Sequence, residues 1–198
     1  MEKHWYTIGS FTFANTWLAF IIAVILTLIT VRVRYGQYAI NWYSNSAFIF
    51  IMVWKFSIIL FDIKNIFSHP YSIIYFNGGI KGVWLGVIGV LLYTYLYYKR
   101  KEDQHFIFPA WIITITVYQL TLGILSQMSI TALIAFFINI GFVYYSSRDG
   151  GTQIIILFTI FQLLVQSVQG SIWSLTTAVY LVVMVYFMIL SWRGKRSE

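Results

Sequence analysis

The sequence predicts an all-α polytopic membrane protein with seven transmembrane helices, the N-terminus outside and the C-terminus cytoplasmic. Three observations predict it. Of the 198 residues 60% are hydrophobic and only 10% charged, with a mean hydropathy of +0.77, which excludes a water-soluble globule. Seven runs approach the ~20 apolar residues that a bilayer crossing needs. Basic residues stand at the ends of those runs, where they set orientation.

The runs fall at about 11–31, 42–62, 79–98, 106–125, 128–146, 152–169 and 172–192, a single transmembrane domain over 1–198. Arg32 and Arg34 follow the first, Lys99, Arg100 and Lys101 the third, Arg148 the fifth, and Arg193, Lys195 and Arg196 the seventh. All of these fall on one side, against Lys3 and Lys64 on the other, so the positive-inside rule makes that side cytoplasmic. The first run has no small-residue cleavage signal behind it and is expected to be a retained helix.

Between the second and third runs, residues 63–75 are too polar to span and too apolar for a free loop, and are expected to lie along the outer interface. His69 and Pro70 read as a turn in that arm, and His105 as a solvated residue at the inner edge. Trp42, Tyr97, Tyr98, Tyr144, Tyr145 and Trp192 fit an interfacial belt.

Several function classes drop out. The 13 Lys+Arg against 6 Asp+Glu do not line one polar face, so nucleic acid is not the partner. With no cysteine there is no disulfide, thiolate metal site or cysteine nucleophile. Three histidines without carboxylate clusters give no metal site, and nothing calls for a cofactor.

The stretch from Phe76 to Leu92 is the most site-like. Gly78 and Gly79 open a long apolar helix and Lys81 follows, so uncovered backbone N–H groups, the positive end of the helix dipole and a cation would coincide. Two readings stand: an anionic headgroup site, or a plain loop-to-helix joint. Gly82, Gly86 and Gly89 recur three and four apart, as in helices that let a neighbour pack closely.

Lys55 is the second anchor, because an ionisable group inside hydrocarbon is costly and usually faces a cavity or a partner. It precedes Asp62 by seven residues, which places it roughly 10 Å below the outer end of its helix. It could line a cavity, snorkel outward or pair with Asp62 on the same face. Gln162, Gln166 and Gln169 form a stripe in the outer half of the sixth run, and Gln119 and Gln127 lie at similar depth. Glutamines also glue helices together by hydrogen bonds. A polar cavity in the outer half, with Lys55, Lys81 and Gln162 opening onto it, is the expected arrangement.

The order of segments resembles the prolipoprotein diacylglyceryl transferases, seven-span bacterial enzymes that move diacylglycerol from phosphatidylglycerol to a lipoprotein cysteine. The resemblance runs through Ile8-Gly9, through Lys55 to Asp62, through His69-Pro70 to Gly78-Gly79 and Gly86 to Gly89, through Phe161 to Gln166, and through the last span with its basic tail. It implies a multi-pass protein of the bacterial cytoplasmic membrane, with phosphatidylglycerol and a lipoprotein or membrane protein as partners. The chain departs from the family pattern where catalysis would be done. It lacks the length for the outer head domain, and no histidine follows Gly79. Leu122 to Met128 replaces an Arg and Asn flanked by glycines, and Thr16 stands for a tyrosine. Gln162 and Gln166 occupy the places of an Arg and a Glu, and Lys55 that of an arginine.

Transfer would need a base for the thiol and stabilisation of the departing phosphate. No catalytic residue is therefore assigned, and whether the chain is an enzyme stays open. The favoured expectation is a non-catalytic relative that binds an anionic phospholipid headgroup, or a lipoprotein partner, through Lys55, Gly78, Gly79, Lys81, Gln162 and Gln166. The alternative is an active diacylglyceryl or acyl transferase with a rearranged site. A small transporter component is a third class, disfavoured by the lack of buried acids and of a Pro-broken helix pair.

Overall fold

The computed structural model describes residues 5–8, 11–63, 68, 78–98, 105–126, 129–148 and 151–194, with backbone alone at 5–8, 11–14 and 193–194. Its elements are strands β1 (Trp5–Ile8) and β2 (Phe11–Ala14), and helices α1 (Asn15–Phe56), α2 (Ile58–Phe61), α3 (Gly79–Tyr98), α4 (Ile107–Leu125), α5 (Ile130–Arg148), α6 (Thr152–Val168) and α7 (Leu175–Gly194). Among the described residues, five stretches are long and apolar enough to cross a membrane, and α6 is a shorter apolar helix. This is the architecture of a multi-pass helical membrane protein.

The last five expected spans match α3 to α7 within a few residues, but the first two differ. The first span is expected from about residue 11, whereas residues 11–14 form a strand and the helix starts at Asn15. β1 and β2 pair antiparallel with Ile8 opposite Phe11, so only Gly9 and Ser10 connect them. The aromatic and β-branched residues of both segments suit strands.

The second difference is the connection between spans one and two. Helix continues on both sides of Gly36, whose φ of 80° and ψ of −162° interrupt it. That backbone region is essentially closed to residues with a Cβ, so the break is placed by the glycine and not by a loop. The apolar stretch Asn15–Phe61 is 47 residues, roughly 70 Å of helix against a hydrocarbon core of about 30 Å. Of the expected interfacial arm at 63–75, only Ile63 and Ser68 are described; the rest, with His69 and Pro70, lies outside the described residues.

The chain forms two compact units, residues 1–40 with 104–198, and residues 41–103. In the larger unit, Asn15, Ala19, Ala23, Thr27 and Val31 make a buried stripe at a spacing of four along the first arm of α1. Two side-chain bonds tie its ends. Asn15 Nδ2 donates to Ser126 Oγ at 2.8 Å, and the Tyr35 and Ser147 hydroxyls meet at 2.8 Å. The arm therefore runs antiparallel to α4 and parallel to α5. Thr152 and Ser191 hydroxyls meet at 2.5 Å, bringing the start of α6 to the end of α7. Ile112, Ile115, Phe158 and Tyr180 form the core between α4, α6 and α7, with Trp111 edge-on to Tyr180 and Phe142 edge-on to Phe158.

Polarity is distributed as lipid demands. Large apolar side chains such as Leu60, Ile124, Ile130 and Val168 are exposed, while Thr27, Thr94, Thr116, Asn139, Ser146, Thr159 and Gln162 are buried. Two of the buried hydroxyls satisfy themselves on their own helix: Thr116 donates to the Ile112 carbonyl and Thr121 to that of Val117, both at 2.8 Å, whereas the Thr27 hydroxyl has no partner among the described residues.

Candidate functional site

In the smaller unit, the two stretches that the sequence singles out, 55–62 and 78–82, come together. The Gly78 amide donates to the Trp54 carbonyl at 3.3 Å, and the Ser57 hydroxyl donates to the same carbonyl at 2.7 Å. A Cβ on Gly78 or Gly82 would collide with the Ser57 hydroxyl; on Gly82 it would also stand 3.0 Å from the Trp54 carbonyl. About one turn beyond Gly82, a Cβ at Gly86 would meet the Phe50 ring at 3.0 Å, and about two turns beyond, one at Gly89 would meet the Ile49 methyl at 3.3 Å. The glycine stripe of α3 is thus a packing face against the second arm of α1, as small residues provide in lipid.

This packing alters the expected anion site. The Gly78 N–H is committed to Trp54 and does not point at a ligand. Gly79 sits in the left-handed region with φ at 57°. Lys81 is exposed on the first turn of α3, its ammonium 5.4 Å from the centroid of the exposed Phe61 ring. Lys55 is half-buried near the C-terminal end of α1. What remains of the expected site is two lysines, Phe61 and the mouth of α3.

In the larger unit, the glutamines do something else. Gln119 Nε2 donates to Gln162 Oε1 at 2.6 Å, Gln162 Nε2 to Asn139 Oδ1 at 2.8 Å, and Asn139 Nδ2 to Gln119 Oε1 at 2.9 Å. Three carboxamides from α4, α5 and α6 close a ring in which each donates to the next. The second Gln119 N–H points to the Tyr180 hydroxyl of α7 at 3.4 Å. Gln162 and Asn139 are fully buried. The expectation that Gln162 opens onto a cavity is therefore not met, because both ends of its amide are engaged between helices. Gluing was the competing reading of the glutamines, and Gln162 follows it.

Gln166 also has a local task. Gly170, at φ 67°, ends α6 in a left-handed turn, with its amide on the Ser167 carbonyl at 3.0 Å and that of Ser171 on the Gln166 carbonyl at 2.9 Å. The Ser171 hydroxyl bonds the Gln166 side-chain oxygen as well. Gln166 takes part in the turn by which Gly170 ends α6. Gln169 is the exposed residue that follows, and Gln127 lies outside the described residues.

Asn139, a member of the ring, and Tyr180, which Gln119 also reaches, are the residues here that sequence reasoning does not single out. A lone asparagine in the apolar run of α5 is the available signal, since an amide in lipid needs a partner. Among the described residues no group of His, Asp and Glu is placed to hold a metal ion. No family model matches the chain, and no match is found among the curated proteins or the solved structures. The resemblance to the prolipoprotein diacylglyceryl transferases accordingly rests on the residues quoted from the sequence.

Proposed function

We propose that the protein is a seven-span protein of a bacterial cytoplasmic membrane, N-terminus outside, and a non-catalytic relative of the prolipoprotein diacylglyceryl transferases. Its task in this reading is to bind an anionic phospholipid headgroup, phosphatidylglycerol in the first place, through Lys55 and Lys81. Seven crossings are supported by the length of α1 with α2, which holds two membrane thicknesses with a break at Gly36 beside Arg32 and Arg34.

The observation that carries the headgroup reading is the placement of Lys81. Its charge stands exposed at the positive end of α3, beside an aromatic ring from the segment that also bears Lys55. A phosphate in a medium that screens charge weakly is attracted by both. Gln162 drops out of the binding set, since both ends of its amide serve the fold, while Gln166 lends its side-chain oxygen to the end of α6.

The test is lipid retention by the purified full-length protein in detergent, followed by native mass spectrometry with phosphatidylglycerol and phosphatidylcholine in competition. Wild type is expected to keep phosphatidylglycerol, and Lys55→Met with Lys81→Met to lose the preference at one binding event. An unchanged preference in the double variant removes these lysines from any lipid site. Diacylglyceryl transfer to a lipobox peptide would instead establish the active-transferase alternative.

A further inference from the structure

We infer that the larger unit carries a second anion site, for the phosphate of a lipid headgroup, gripped by Arg34 and Arg148 where the first arm of α1 meets the end of α5. The hydrogen bond between Tyr35 and Ser147, 2.8 Å long, joins the immediate neighbours of these two arginines. The Ser147 hydroxyl gives its proton to the Val143 carbonyl at 2.8 Å, so Tyr35 is the donor across the bridge and the geometry is fixed from both sides. Arg148 is oriented by Tyr144. Its Nη1 donates to the tyrosine hydroxyl at 3.2 Å and its guanidinium carbon stands 5.7 Å from the ring centroid. Arg32, Arg34, Arg148 and His105 are all exposed, and the His105 ring lies 5.8 Å from that of Tyr35.

Nothing described in this unit neutralises that charge. Its described residues include no Asp or Glu. Asp149, next to Arg148 in sequence, lies outside the described residues. A second feature is independent of the arginines. α4 and α6 both begin at this end, no side chain caps either start, and neither first turn has an acidic residue. Two positive helix ends and exposed guanidinium groups favour an anion, and guanidinium matches phosphate in two-point contact.

The surroundings identify the source of the phosphate. Between Arg32 and Arg34 stands Val33, 82% exposed, and Tyr144 and Tyr145 beside Arg148 are exposed as well. Apolar and tyrosine side chains interleaved with arginine suit the border between headgroups and hydrocarbon, where the phosphate is that of a lipid. This site does not depend on Lys55 or Lys81, and its failure would leave the reading of those residues intact.

The experiment counts phosphatidylglycerol molecules retained by the full-length protein in native mass spectra, with phosphatidylcholine as competitor. Arg34→Gln with Arg148→Gln is expected to weaken one binding event roughly thirtyfold, two contacts at the usual worth of a basic side chain at an anionic surface. The event sensitive to Lys55→Met with Lys81→Met should persist. Arg34→Lys with Arg148→Lys keeps the charge but not the two-point contact and should fall between wild type and the glutamine variant, which separates lost recognition from lost folding. Unchanged retention in the glutamine variant overturns the proposal. Displacement of the lipid by millimolar inorganic phosphate also overturns it, because the site would then serve a free anion.

Discussion

Gln162 donates its amide to Asn139 Oδ1 at 2.8 Å, and neither side chain has any exposed surface. With Gln119 closing the ring, three helices are fixed in rotation and depth at one point, since sliding any of them by one residue would break two bonds at once. In a bilayer a freed amide has no water to turn to. The ring therefore acts as a register device for the packing of α4, α5 and α6.

Asn139→Leu leaves Gln162 Nε2 without an acceptor and Gln119 Oε1 without a donor, both away from water. The expected loss is about 2 kcal/mol, the order of an unsatisfied buried polar group. Replacing all three amides by Leu removes the orphaned partners together and should recover at least half of that loss. Thermal unfolding in detergent, followed by circular dichroism, measures both. An Asn139→Leu variant as stable as wild type would deny the ring its role.

The extent to which this was readable beforehand follows from what each feature depends on. α3 to α7 are legible because apolar length and terminal basic residues are local properties of the chain. The hairpin is not, because Phe11 to Ala14 is apolar enough to extend a span and only pairing with residues 5–8 marks it as strand. Gly36 reads as part of a polar connection, yet the residues around it are helix-compatible and only its own dihedral breaks the rod. The depth of Gln162 is legible from spacing, whereas its partner is not: Asn139 has no periodicity to announce it, and the choice between a cavity and a ring is made by tertiary packing. Lys81 was legible as an exposed charge at the mouth of its helix. The use of the Gly78 amide by Trp54 was not.

The glycine seam gives a second prediction. Gly82→Val puts a branched side chain against the Ser57 hydroxyl and the Trp54 carbonyl, and a carbonyl cannot swing aside. A loss of about 1–3 kcal/mol is expected, as for overpacked interiors. Gly141→Ala is the control, because nothing lies within 4 Å of its added Cβ. A thermal shift for Gly82→Val no larger than that of Gly141→Ala would show that α3 does not pack here.

Gly36→Ala tests the break in α1. Nothing within 4 Å would obstruct the methyl group, so any effect comes from the backbone alone. Holding alanine at φ 80° and ψ −162° should cost about 1–3 kcal/mol. Gly36→Pro, which cannot take a positive φ, should be worse. Yield of folded monomer after detergent extraction reports both, and an alanine variant indistinguishable from wild type would mean that the helix is not held in this conformation.

The fourth prediction separates what Lys81 does from what holds it. Its ammonium lies 5.4 Å from the centre of the Phe61 ring, a contact worth about 0.5–1 kcal/mol at an exposed site. Phe61→Leu keeps the apolar volume and the charge while removing the ring face. Lys81→Met keeps the stem and removes the charge. If the lysine binds a headgroup phosphate, Lys81→Met lowers the preference for phosphatidylglycerol over phosphatidylcholine roughly fivefold to tenfold, about 1 kcal/mol per basic residue at an anionic surface. Phe61→Leu, which frees the ammonium from a competing partner while loosening its position, should change that preference less than twofold. Increasing salt should weaken lipid selection by wild type more than by the Lys81→Met variant, which has one charge fewer at the headgroup level while keeping Lys55, Arg34 and Arg148. A variant series in which Phe61→Leu matches Lys81→Met would assign the pair to folding, with the lysine anchored to its ring and not to a lipid.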